Sequence, residues 1–341
     1  MKAVQFLKPG EIRIIERPVP AIESPTQVLV RVHYVGICGS DLHIAHGTNA
    51  FATYPRVFGH EMAGEVVETG ADVASLKPGD HVILEPITYC GTCYACTHGQ
   101  PNVCANLQVS GVRVDGAAAQ YLVAEEKSLN RIRADVPWEV AVLTEPLTIG
   151  SQSCERAELC AGDLVLINGA GTIGLCVLMN AKLRGATCIV TDIFDDKLEY
   201  ARSIGADYTI NVRGKDLREE VERLAGVEAV NVFIDAVGHV PSVETAFDLL
   251  SSAGRMVLLG FGTERVQFPF LTVTRKQLRI SGSRLQAGQF PPVIRWIEEG
   301  RFPVGDFVTR CFALSEAKEA FDYAFERAGT YRKLILSMAD E

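Results

Sequence analysis

From residue 163 onward the chain alternates apolar runs with amphipathic stretches. "DLVLING" (163–169) reads as a buried strand and "TIGLCVLMNAKLRG" (172–185) as a helix ending at Gly185. "ATCIVTD" (186–192), "ADYTIN", "VNVFIDAVG" (230–238) and "GRMVLLG" (254–260) follow as strands, with helices between them. Near-continuous apolar strands separated by helices predict a parallel sheet covered on both faces. The earlier part differs. "VLVRVHYVGI" (28–37), "EMAGEVVETG" (61–70) and "GDHVILEP" (79–86) are short β-branched runs among Gly and Pro, predicting an irregular β domain. Residues 136–159 switch to helical spacing, "FPPVIRWIEEG" reads as a helix, and "YRKLILSM" predicts a strand that returns to the first domain.

The strand at 163 runs into "NGAGTIG", where Gly169, Gly171 and Gly174 form G-x-G-x-x-G. The three glycines suit a tight turn, a close backbone approach to a pyrophosphate, and helix–strand packing, with phosphates at the helix N-terminus. Thr172 and Ile173 complete the turn. Asp192 ends the next strand, where a carboxylate can bond ribose hydroxyls and repel a 2′-phosphate, so NAD is expected over NADP. Asp235, at the end of a later strand, joins the expected cofactor set.

Composition narrows the classes. With 341 residues, 48% hydrophobic, the chain can build two cores. No run of eighteen apolar residues suggests a membrane span. The N-terminal "MKAVQFLKPG" lacks the apolar core of a signal peptide, so a cytoplasmic, reducing setting is expected. A net charge of −9 argues against a sequence-independent nucleic-acid binder.

Four of the ten cysteines, Cys90, Cys93, Cys96 and Cys104, fall in "CGTCYACTHGQPNVC". Four thiolates suit a closed tetrahedral zinc site. An iron–sulfur cluster is the rival, but the ferredoxin run places its last cysteine after three residues and before proline, whereas here seven residues intervene and Ala105 follows. A second set, Cys38, His60, Glu61 and Glu145, contains the one-Cys, one-His, one-carboxylate chemistry of a catalytic zinc with an open position. Each also has a packing interpretation, and spacing alone does not bring residues 38, 60 and 145 together. Cys154, Cys160, Cys176, Cys188 and Cys311 read as packing residues. His33, His46, His81, His98 and His239 read as structural or solvated.

"GICGSDLH", "YPRVFGHEMAGEV", the four-cysteine lobe, "EPLTIG" and "NGAGTIG", in this order, resemble the zinc-dependent medium-chain alcohol dehydrogenases across essentially the whole chain. Within that superfamily the chain resembles the sorbitol and L-threonine dehydrogenase branch. "YPRVFGHE" and "GSRLQAGQFPPVIRWIEEG" are closer still to bacterial L-gulonate or L-galactonate 5-dehydrogenases. The resemblance implies an α/β fold: a GroES-like β catalytic domain over residues 1–145, completed by 278–341, around a Rossmann doubly wound parallel-sheet domain over 146–277. It implies catalytic zinc on Cys38 and His60 with Glu61 and Glu145 at or beside it, and structural zinc on Cys90, Cys93, Cys96 and Cys104. It implies a proton relay through Ser40 and His43, and a substrate-binding arginine at Arg284. A homotetramer or homodimer is implied, built partly on the sheet edge near "QLRISGS".

The implied chemistry is oxidation of a secondary hydroxyl of a small sugar acid to a ketone. Zinc supplies Lewis acidity, Ser40 and His43 lead the proton toward solvent, NAD takes the hydride, and a cleft closes to exclude water. Two departures bear on substrate: "DGAAAQY" (115–121) replaces the usual "DGGFAEY", and Ile44 replaces an aromatic residue that often follows the relay histidine. Polyol and L-threonine oxidation are the alternatives within the class. A non-catalytic dinucleotide-binding sensor is the alternative outside it.

Overall fold

A computed structural model describes residues 1–339 apart from Glu228, Phe261, Thr263 and Ala328. The chain forms two compact units, Met1–Glu145 with Phe290–Glu341, and Pro146–Gln289. The return segment therefore begins later than residue 278. The strand Arg279–Gly282 pairs in parallel with Leu250–Leu258 and belongs to the second unit's sheet.

The first unit is built on a long central strand, Gln27–Ile37. Glu61–Thr69 pairs antiparallel with it on one side and Lys333–Ser337 on the other. His81–Leu84 and Leu129–Ile132 extend the sheet beyond the first neighbour, and Val308–Ala313 extends it beyond the second. Tyr121–Glu125 also pairs with the N-terminal half of the central strand. The predicted C-terminal strand thus lies inside the first unit's sheet. Three aromatic rings seal the core: Phe6 stacks on Phe58 at 5.2 Å, and Phe321 of the helix Ala317–Glu326 meets both edge-on at 5.2 and 5.1 Å. Edge-to-face packing of this kind adds to the area such rings bury.

The second unit carries one six-stranded sheet, all parallel. Its order is Tyr208–Asn211, Thr187–Asp192, Leu164–Asn168, Val230–Asp235, Leu250–Leu258, Arg279–Gly282. Numbered by chain order this is 3-2-1-4-5-6, the dinucleotide-binding arrangement, with its crevice beyond the carboxyl ends of the first and fourth strands. Leu166, Ile189, Phe233, Phe247 and Met256 lie in one buried cluster. The charged stretch after residue 214 forms the helix Leu217–Ala225, which buries only Val221 fully and leaves its charges to solvent. Asp216 caps it, accepting from Arg218 N (2.8 Å) and Glu219 N (3.1 Å), and Gly226 ends it in the left-handed region at φ 65°. Among the described residues no helix is long and apolar enough to cross a membrane.

Candidate active site

The central strand of the first unit ends at Ile37, and Cys38 opens the helix Gly39–His46. Asp41, in the first turn, accepts a 2.8 Å hydrogen bond from Cys38 N, so the sequence itself fixes the bend that aims the thiol. His60 and Glu61 enter at the start of the adjacent strand, where Glu61 is in register with Gly36. One ligand atom each from Cys38, His60 and Glu61 lie within 4.8 Å of one another. His60 and Glu61 are buried, at 5% and 1% exposed. Glu145 is not in that three-residue set among the described residues.

The electrostatics of this cluster are strongly coupled. Asp41 Oδ1 lies 3.5 Å from His60 Nδ1. Burial alone would lower the His60 pKa, but the Asp41 carboxylate and the Cys38 sulfur outweigh it and hold the ring well above its ordinary value. Glu145, in the first turn of the helix Thr144–Arg156, is pushed up to about 7, first by burial and then by Glu61 and Asp41, against the pull of His60 and Lys333.

Lys333 is the residue sequence reasoning missed. It pairs with the Glu61 carboxylate, donates a 3.0 Å hydrogen bond to the Ile37 carbonyl, and is 1% exposed. Burial lowers its pKa, but Glu61 and Cys38 outweigh that and raise it, so it stays charged. Gly36 makes the room: a Cβ there would fall 1.8 Å from Glu61 Oε2. The only signal in the sequence is a lysine opening an otherwise apolar strand, "KLILS".

Ser40 and His43 are three apart on the helix Gly39–His46, which places them on one face. Ser40 is half-buried and His43 exposed, with His43 Nδ1 2.9 Å from Thr48 Oγ1. Ile44 is fully buried and its carbonyl accepts from Tyr54 Oη, so its exchange for an aromatic residue is a packing change. "DGAAAQY" is likewise packed. Ala117, Ala118 and Ala119 are buried, and a Cβ on Gly116 would fall 2.3 Å from Gly59 O.

In the cysteine lobe the sulfurs of Cys90, Cys93, Cys96 and Cys104 converge. Cys93–Cys96 is 3.5 Å, Cys93–Cys104 3.8 Å and Cys90–Cys104 3.4 Å. Zinc–sulfur bonds of about 2.3 Å in a tetrahedron require edges of about 3.8 Å. Backbone N–H groups surround the sulfurs: those of Cys93 and Asn106 reach Cys90 and Cys104 at 3.4 and 3.3 Å. Hydrogen bonds from Thr92 and Cys93 lower the Cys90 pKa to about 6, whereas burial raises that of Cys96 to about 12. Amide donors around clustered thiolates fit a metal, which supplies the remaining positive charge.

At the glycine turn, Gly169 has φ 102° and Gly171 caps the helix Thr172–Leu183. A Cβ on Gly174 would lie 1.9 Å from Gly169 O, whereas nothing stands within 4 Å of one on Gly171. The first is the helix–strand contact and the second is open ground for a pyrophosphate. Asp192 Oδ2 accepts from Ala170 N (2.8 Å), and Oδ1 from Ile193 N (2.7 Å) and Phe194 N (3.1 Å). Its remaining lone pairs can serve a ribose. Asp235 is different. It is 1% exposed and its carboxylate accepts from Asn168 Nδ2 (2.8 Å) and Gly238 N (2.9 Å), so it shapes the turn beside the site. Arg284 is half-buried in the loop after Arg279–Gly282, in this second unit.

Comparison with known proteins agrees with these features. Residues 24–134 match the alcohol dehydrogenase GroES-like domain and residues 172–299 the zinc-binding dehydrogenase domain. The chain is 38% identical to the starvation-sensing protein RspB of Escherichia coli K12, over 100% of both chains. It is 33% identical to a sorbitol dehydrogenase of Halalkalibacterium halodurans, over 97% of both. The structure of the rspB protein of E. coli CFT073 with NADH superposes at TM-score 0.94 with 36% identity, covering 99% of both chains. A protein of Sinorhizobium meliloti 1021 described as a candidate zinc-binding dehydrogenase, bound to NADP, superposes at 0.92 with 29% identity and 98% coverage of both. The parallel sheet, the glycine turn and these full-length relationships identify the chain as an NAD(P)-linked oxidoreductase of the zinc-dependent medium-chain alcohol dehydrogenase superfamily.

Proposed function

We propose that the chain oxidises a secondary hydroxyl of a sugar acid of the L-gulonate or L-galactonate kind to a ketone, with NAD as hydride acceptor. The convergence of one thiol, one imidazole and one carboxylate at Cys38, His60 and Glu61 carries this reading. Three protein donors with a fourth position left for substrate are the catalytic-zinc arrangement. Zinc held there supplies Lewis acidity to the substrate hydroxyl. Glu145 sits beside the donors and can take or return a proton near neutral pH. Lys333 holds Glu61 in place. Ser40 and His43, on one helix face, lead the hydroxyl proton outward. The four lobe cysteines hold a second, structural zinc.

Gly169, Gly171, Thr172, Ile173 and Gly174 cradle the pyrophosphate and Asp192 selects NAD, with Asp235 ordering the adjoining turn. Arg284 binds the substrate through its guanidinium donors. The protein works in the cytoplasm as a homodimer or homotetramer, and its ten free thiols suit a reducing compartment. Polyol oxidation is the second reading, favoured by the sorbitol dehydrogenase relative.

The test is NADH formation by zinc-loaded protein on L-gulonate, L-galactonate, L-idonate, sorbitol, xylitol and L-threonine, with NAD and NADP in parallel. Turnover on one aldonate with NAD supports the proposal. Turnover on polyols alone replaces it by the second reading, and turnover on L-threonine alone overturns both.

A further inference from the structure

Two loops of the first unit meet beside the candidate site. The first is hung on the relay histidine: His43 O accepts from Thr48 N (2.9 Å) and Asn49 N (3.2 Å), and Asn49 Oδ1 accepts from Phe51 N (2.9 Å). The second is rooted against the residue before His60. Gly111 has φ 76°, and a Cβ on it would fall 2.6 Å from Gly59 N. Thr53 N donates to Val112 O at 3.3 Å and ties the loops together. At their tips the Arg113 guanidinium lies 5.8 Å from the centre of the Phe51 ring, and Phe51 is 43% exposed.

The charge here runs against the rest of the chain. The net charge is −9, yet Arg17 and Arg56 share a single carboxylate, Asp115, two residues along the chain from Arg113. Asp115 is taken by Arg17 at 2.9 Å and Arg56 at 3.2 Å. Among the described residues no carboxylate is paired with Arg113. The ring beneath it carries no charge to neutralise the guanidinium, so its N–H donors remain available. A planar fork of donors held by an aromatic face recognises a carboxylate or a phosphate.

We propose that Arg113, seated on Phe51, is a specificity-determining residue that receives the anionic end, a carboxylate or a phosphate monoester, of an open-chain polyhydroxy substrate. This rests on the reading that the substrate hydroxyl is oxidised at Cys38, His60 and Glu61. It adds a recognition element on the unit that holds those residues.

The experiment compares the zinc-loaded protein with R113Q, R113K and R113E on L-gulonate, sorbitol 6-phosphate and neutral sorbitol, with NAD. Steady-state kinetics are joined by calorimetric binding of the two anions to the NADH-loaded protein. The expected result is at least a tenfold fall in the ratio of anion to sorbitol kcat/KM in R113Q, through KM. The fall is deeper in R113E and partly restored in R113K. If wild type oxidises L-gulonate and R113Q keeps the ratio within twofold, the proposal is overturned while the sugar-acid function stands. If only the phosphate ester is oxidised and R113Q loses it, the sugar-acid function fails and the role of Arg113 stands. If neither anion is bound or oxidised, both are overturned.

Discussion

Lys333 and Glu61 form an ion pair in which both side chains are 1% exposed. They come from two strands that flank the same central strand. Removing one partner of a buried pair leaves the other charge uncompensated, a cost of about 3–5 kcal/mol. Lys333→Met is therefore expected to lower stability by about that amount in urea unfolding. It should also weaken metal retention by Cys38 and His60. The double variant Lys333→Met with Glu61→Gln should recover part of the stability, because no buried charge is then left alone.

The two metal sites should separate by mutation. Cys93→Ser is expected to lose the zinc of the lobe, with a lower unfolding midpoint and retained affinity for NADH. Cys38→Ala should lose the other zinc and all turnover with little change in midpoint. Zinc per chain, measured after dialysis, distinguishes them. Lobe zinc should also leave as pH falls, because protons compete for thiolates such as Cys90, whose pKa lies near 6.

Asp192 has two jobs that one substitution can pull apart. Its oxygens hold the N–H groups of Ala170, Ile193 and Phe194, and in the proposed function its charge faces a cofactor ribose. Asp192→Asn should keep part of the backbone bonding but lose the repulsion of a 2′-phosphate. The expected outcome is a KM for NAD raised about tenfold, equivalent to about 1.4 kcal/mol, and a KM for NADP that falls. Equal changes for the two cofactors would count against the role given to the carboxylate.

His33 and His81 both stack on Trp138, at 4.3 and 3.8 Å between ring centres. Burial is the leading cause that lowers both pKa values, against Glu65, which raises them. The unfolded chain then takes up protons at a higher pH than the folded chain. The stability these rings contribute is present above the unfolded histidine value, about 6.5, and is lost as pH falls below it toward the depressed folded values. Unfolding midpoints should drop between pH 7.5 and 5.5, and the drop should shrink in His33→Gln with His81→Gln. Trp138 emission, isolated with Trp296→Phe, should report the same transition.

Much of the second unit was legible because its information is local. Each apolar run is one strand, and the turn glycines are separated from their partners by only a few residues. The cysteine lobe was legible for the same reason. The first unit hid more. Cys38, His60 and Glu61 converge only because two strands pair in a specific register, which no spacing rule encodes. Lys333 reaches Glu61 through a strand near the far end of the chain, so its role lay outside any local pattern. Ile44 looked like a substrate residue because it follows His43, the expected relay histidine, yet the helix turns it into the core. The boundary at 278 failed because "RISG" is a short, partly exposed edge strand whose pattern does not distinguish one sheet from another.

The placement of Lys333–Ser337 inside the first unit's sheet also delays completion of that sheet to the end of synthesis. Cys38, His60 and Glu61 leave the ribosome early, and the whole of Pro146–Gln289 is translated before the lysine that compensates Glu61 exists. Until then the first unit's sheet lacks the strands Val308–Ala313 and Lys333–Ser337, and Glu61 lacks its buried cation. The candidate site is therefore completed last, by the returning strand.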